Sequence, residues 1–256
     1  MVHTRGGGEV RGDDIMDQIR ISAKSLGELA LPHFCPRCFW IKLHCNHKLP
    51  YQIFPGIFSS IDSYTKKVTN MHFEQHQRVP DWFDGFGSLG KPTKVPHHSK
   101  FCVLEPDTNI LLTGVPDEIL HKSDGSYFIV DYKTAKFTAT QDQLLPMYEV
   151  QLNAYAYIGE RAGFKPIRGL GLIYYEPQTG ISAEDIDSFI LEDGFLMHFA
   201  GKLLPIKLKP DSIPQLLKRV REIYELSKAP NGIEECKDCK LLDTLLSVAG
   251  VNTTNP

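Results

Sequence analysis

Apolar and polar positions repeat most regularly in the middle of the chain. Residues 109–121 and 127–135 are rich in β-forming side chains. Between them Lys122-Ser123-Asp124-Gly125-Ser126 is hairpin punctuation, so the pattern predicts two antiparallel strands. Over 144–162 the period becomes helical and stops at Gly163, the usual left-handed terminator. The runs 169–176 and 195–208 read as further strands. Asp211 or Ser212 caps a last helix that holds Pro214 in its first turn and runs to about residue 227. Upstream, Ser22 caps a short helix that is stopped at Pro32, and a longer helix spans 57–71. Residues 80–100 are dense in Pro, Gly and Asp and read as a long loop carrying Trp82, Phe83 and Phe86. The two ends, 1–20 and 247–256, lack apolar periodicity and read as flexible tails around one domain over 21–246. Helix, strands, helix, strand in this order predicts an α/β fold with a central mixed sheet covered by helices.

Composition narrows the function classes. The 256 residues are 42% apolar and 23% charged, enough for a sizeable core. No run reaches about 18 apolar residues, and the first 20 residues hold no apolar signal core, so an intracellular, cytoplasmic protein without a membrane partner is expected. Lys and Arg number 28 against 31 Asp and Glu. With no global basic field, any grip on nucleic acid must be local. Clusters at 91–100 and 202–209, and Lys218, Arg219 and Arg221, are modest and read as solvated faces.

The chemistry sits on the predicted hairpin. Side chains alternate across a strand, so Asp131 and Lys133 share one face and Tyr132 takes the other. An odd loop centred on Asp124 gives opposed residues an index sum of 248, which sets Asp117 opposite Asp131. Their Cβ atoms would stand about 5 Å apart, close enough to share one divalent ion. Hard oxygen ligands suit Mg²⁺ or Mn²⁺, and Lys133 one pleat on can act on a phosphoryl transition state. Phosphodiester hydrolysis is the favoured chemistry, and a plain Asp131–Lys133 ion pair is the structural alternative. Gln151 and Tyr155, at helical i, i+4 spacing, face the same way; taken alone, the pair is explained better by core packing with Tyr148 and Leu152.

The order Gly114-Val115-Pro116-Asp117, Asp131-Tyr132-Lys133 and Gln151-x3-Tyr155 resembles the GxxD, (D/E)xK and QxxxY motifs of the PD-(D/E)XK nuclease superfamily. The resemblance spans 22–242 and is greatest to the RecB-like branch, which includes the CRISPR-associated adaptation exonucleases. It implies a restriction-endonuclease-like core and a Mg²⁺- or Mn²⁺-dependent exonuclease on nucleic acid, with DNA the expected substrate, in repair, recombination or defence. It implies Asp117, Asp131 and Tyr132 as metal ligands, Lys133 as the catalytic lysine, and Gln151 and Tyr155 as accessory residues. The branch also has a GxxxH histidine on an early helix. Here the helix opening at Gly56 has Ser60 in that place, with Asp62, Glu74 or His72 as substitutes. A catalytically silent nucleic-acid-binding or interaction module is therefore the competing class, and a CxxC redox protein the next. If the cleft takes a single strand, Trp82, Phe83 and Phe86 are candidates for base stacking. His97 and His98 read as solvated.

Six cysteines without a signal peptide point to thiols or metal ligands. Cys35-x2-Cys38 and Cys236-x2-Cys239 together satisfy a tetrahedral Zn²⁺ or a [4Fe-4S] cluster, with four buried free thiols as the alternative. The resemblance implies the cluster. Its C-x2-C-x5-C pattern, however, has Leu245 at the third position, and Cys38 supplies the fourth thiolate instead. Either metal would staple the N-terminal arm to the C-terminal end. Cys45 and Cys102 stand apart as single thiols.

Overall fold

A computed structural model of the chain describes residues 16–46, 49, 55–83, 86, 89–136 and 143–251. In chain order the elements are β1 (Ile19–Ser22), α1 (Ala23–Gly27), α2 (Pro36–His44), α3 (Ile57–His76), β2 (Lys91–Thr93), β3 (Cys102–Glu105), β4 (Ile110–Thr113), β5 (Glu118–His121), β6 (Tyr127–Lys133), α4 (Leu145–Arg161), β7 (Ile167–Pro177), β8 (Ile190–Leu191), β9 (Gly194–Phe195), β10 (Phe199–Ile206), α5 (Ile213–Tyr224) and α6 (Lys237–Val248). Two sheets carry the architecture, one in the order β1-β4-β3 and one in the order β10-β7-β6-β5-β2; β8 and β9 form a small separate hairpin. Both larger sheets are mixed, since β1 runs parallel to β4 and β6 parallel to β7 while their other pairings are antiparallel.

The hairpin has the expected register. Glu118 pairs with Val130 and His121 with Tyr127, an index sum of 248 around the five-residue turn 122–126. The strand expected over 109–121 is instead two strands in different sheets. Pro116 offers no amide to a ladder. Gly114 packs so tightly that a Cβ there would stand 2.5 Å from Tyr155 Cε1. The backbone therefore breaks between β4 and β5, and Asp117 sits at the joint.

Alternation along β6 separates two cores. Ile129 joins Ile119, Leu152, Ile158, Leu170 and Leu172 beneath α4, while Phe128, Val130 and Tyr132 pack on the opposite face with Leu120, Ile173 and Tyr175. Phe83 and Phe86 belong to this second core at 1% and 9% exposure, so neither is offered to bases; Trp82, at 37%, stays at the surface. Apolar payload outweighs the loop-like composition of 80–100, which also contributes β2 and a 3-10 turn over Asp81–Phe83.

α4 is buried along most of its length and touches α1, where a Cβ on Gly27 would lie 2.3 Å from the Met147 carbonyl. Ser22 caps α1 as expected, its Oγ accepting from the Ser25 amide at 3.0 Å. Arg221 is no solvated cation: it is buried on α5 and donates to the carbonyls of Thr108 and Asp17, both at 2.8 Å. The ends also differ from expectation. Ile19 and Arg20 pair with β4, and Ser247 and Val248 close α6, whereas 1–15 and 252–256 lie outside the described residues. Among the described residues no helix is long and apolar enough to cross a membrane.

Candidate functional site

A cleft of about 450 Å³ opens where the β4–β5 joint meets the end of β6, and it is lined by Asp117, Asp131, Lys133, Gln151, Tyr155 and Asp62 among others. Asp131 comes from β6 on the α4 side and is 3% exposed. Its Oδ1 accepts from Gln151 Nε2 at 3.3 Å. Its Oδ2 is ion-paired with the Lys133 ammonium yet buried without a partner in hydrogen-bond geometry. Gln151 joins the group together: its Oε1 accepts from Lys133 Nζ at 3.3 Å, and its Nε2 donates to the Tyr155 hydroxyl at 2.7 Å. Lys133 also stands 4.2 Å above the centre of the Tyr148 ring, which limits where its ammonium can swing.

Asp117 is aimed by the backbone. Its Oδ2 accepts from the Tyr132 amide at 2.6 Å, and its Oδ1 pairs with Lys66 Nζ at 2.7 Å. Burial, with the Asp131 charge beside it, pushes the Asp117 carboxyl up to about 7 against the pull of Lys66. Lys66 lies on α3 and also reaches Asp62 Oδ2 at 2.9 Å, so one ammonium bridges two carboxylates. Burial works against its charge, but the two carboxylates outweigh burial and hold it above the ordinary lysine range.

Tyr132 enters the cleft only through its main chain. Its side chain lies on the other face, where the hydroxyl donates to Thr69 Oγ1 at 3.3 Å and the ring meets Tyr175. Of the three substitutes for the histidine position, Asp62 alone lines the cleft. Glu74 is exposed and His72 Nδ1 lies against the Arg78 carbonyl, while Ser60 itself borders a neighbouring apolar groove. No sequence motif marks Lys66; only the fold brings it to Asp117. Glu118, next along, faces away from the cleft toward Asn70, and burial followed by the Asp117 charge pushes it up to about 7.

This donor set fits a hard divalent cation. A buried carboxylate and a half-buried one line the same cleft, one oxygen lacks any hydrogen bond, and their repulsion is relieved here by the ammoniums of Lys66 and Lys133.

Away from the residues that line the cleft, the two knuckles meet. The Sγ atoms of Cys35, Cys38, Cys236 and Cys239 all lie within 4.8 Å of one another. Cys35 and Cys236 are the N-caps of α2 and α6, so both helices turn a positive dipole end toward the sulfurs, and at α6 the Cys239 amide donates to Cys236 Sγ at 3.5 Å. Amides of Cys38 and Ile233 overcome burial to bring the Cys35 thiol down to about 7, while burial pushes Cys239 up to about 12. Arg37, inside the first knuckle, grips Asp243 on α6 through two hydrogen bonds of 3.0 and 2.7 Å. The four thiols form a group that can hold a metal; Cys45 and Cys102 lie outside it.

Among solved structures the chain is similar to SSO0001, with 14% identity over 91% of this chain and 86% of that one and a TM-score of 0.38. It is also similar to a phage-related exonuclease from Haemophilus somnus 129PT, with 11% identity over 89% of this chain and 97% of that one and a TM-score of 0.43. No curated relative matches the sequence. The sequence does match the profile of a nuclease family over residues 58–243, a span holding α3, the hairpin with its joint, α4 and the second knuckle. The chain belongs to the PD-(D/E)XK nuclease superfamily.

Proposed function

We propose that the protein is a Mg²⁺- or Mn²⁺-dependent exonuclease of RecB-like type that hydrolyses DNA in repair, recombination or defence. Asp117 and Asp131 would hold the metal, with the Tyr132 main chain beside them. The observation that carries the reading is the convergence of Asp117, Asp131, Lys133 and Gln151 at one cleft from a strand joint, a strand end and a helix. Structural ion pairs need no such convergence.

When bound, the divalent ion supplies an activated water and neutralises charge on the phosphoryl oxygens. The remaining work falls to the side chains. The Tyr132 amide fixes the Asp117 carboxylate, and Gln151 fixes one oxygen of Asp131. Lys133, ion-paired with Asp131 and steadied by Gln151, directs its ammonium at the phosphate oxygen on which negative charge develops. Tyr155 holds Gln151, not substrate: burial, reinforced by the Asp131 charge, keeps its hydroxyl protonated well above neutral pH. Attack of the water oxygen on phosphorus, with loss of a proton to solvent, breaks the bond to the leaving deoxyribose oxygen, which takes up a proton in turn. Lys24 and Lys133 line the cleft and supply the local positive charge that the net −3 of the chain withholds.

One observation favours the silent module instead. Lys66 stands between Asp62 and Asp117, and Ser60 fills the place of the histidine. Incubation with labelled single- and double-stranded DNA separates the two readings. The nuclease degrades DNA with Mg²⁺ or Mn²⁺ and not with EDTA, while a silent module binds DNA and leaves it whole under both.

A further inference from the structure

We infer that the four cysteines hold a single tetrahedral ion, zinc, and not the four-iron cluster that the family resemblance implies. The inference concerns the thiolate centre alone and stands apart from whether the cleft hydrolyses DNA.

Size separates the two. A tetrahedral Zn²⁺ with Zn–S bonds of about 2.3 Å places its sulfurs about 3.8 Å apart. A cubane gives each thiolate its own iron at an outer corner, which sets the sulfurs roughly 6 Å apart. Here Cys35 and Cys239 are separated by 3.5 Å, Cys38 and Cys236 by 3.5 Å, and Cys38 and Cys239 by 3.4 Å, and no pair exceeds 4.8 Å. The spacing is that of one ion's ligands.

The surroundings resist expansion. Gly232 packs so near the centre that a Cβ on it would stand 2.7 Å from Cys239 Sγ, so that sulfur cannot retreat without moving the loop before α6. Cys236 Sγ accepts from the Cys239 amide at 3.5 Å, a contact that spreading the knuckle would break. The two-pronged Arg37–Asp243 grip fixes α2 to α6 at the present separation.

The test is metal and sulfide analysis of the full chain, made in cells supplied with both iron and zinc and purified without oxygen. The inference expects colourless protein with one zinc per chain and iron and acid-labile sulfide below a tenth of an equivalent. Cys236→His should still bind one zinc, because a Cys3His set serves that ion as well as four thiolates do. Brown protein with four irons and four sulfides per chain overturns the choice of ion while leaving the centre in place. Metal-free protein with four titratable thiols overturns the centre itself.

Discussion

At the scale of single residues, the site depends on buried carboxylates whose charge is compensated by neighbours. Asp131→Ala removes an expected ligand and should abolish metal-dependent cleavage. Lys133→Ala should keep Mn²⁺ binding, read by calorimetry, and lose roughly a hundredfold or more in rate, since its charge acts on the transition state. Lys66 is the resident counter-cation of Asp117 and Asp62, so a metal entering there must displace it. Lys66→Met should therefore tighten Mn²⁺ binding by about tenfold, the worth of one charge-assisted contact, when measured well above the Asp117 value of about 7, because loss of Lys66 lifts that carboxyl further; unchanged or weaker binding would mean Lys66 supports the site instead. Asp117 and Glu118 both titrate near 7 when folded, above their unfolded values. Between those limits the folded chain binds more protons than the unfolded one, so stability falls as pH rises from about 4 toward 7. In EDTA the melting temperature should drop across that window, and Glu118→Gln should flatten the drop. The meeting of Asp117, Asp131, Lys133, Gln151 and Tyr155 at one cleft was legible from motif order and strand alternation. Lys66 was not, because its importance comes from a contact across 51 positions of sequence that no local pattern records.

At the scale of elements, the break between β4 and β5 matters most. The apolar run through 109–121 is continuous enough to read as one strand, and the signal against it, Gly114 and Pro116, is punctuation whose force depends on what packs there. What packs there is Tyr155. Gly114→Ala should force that ring aside, cost about 1–3 kcal/mol by overpacking, and lower activity through the displaced Gln151; thermal melting with a parallel cleavage assay would show it, and a variant of native stability and rate would sever this joint from the site. The β5–β6 hairpin was legible down to its register because Gly125 and a five-residue turn leave few options. The burial of Phe83 and Phe86 was not legible, since Pro- and Gly-rich composition describes backbone freedom and says nothing of which side chains find a core.

At the scale of the whole molecule, the chain is closed twice: α4 gathers both the cleft and the core beneath it, and the two knuckles bring residue 35 to residue 239. The spacing of the two pairs made the closure legible; the Arg37–Asp243 clasp that accompanies it was invisible in sequence. Removing the metal with a strong chelator should lower the melting temperature by many degrees without touching the cleft's own ligands, because the N-terminal arm is then held only by its remaining contacts. The central claim is that Asp117, Asp131 and Lys133 form a divalent-metal nuclease centre. Its most direct test is cleavage of end-labelled DNA by the wild-type chain and by Asp131→Ala at matched folded concentration, in Mn²⁺ and in EDTA. The wild type should shorten the DNA in Mn²⁺ alone. Equal cleavage by Asp131→Ala, or wild-type cleavage that persists in EDTA, would contradict it.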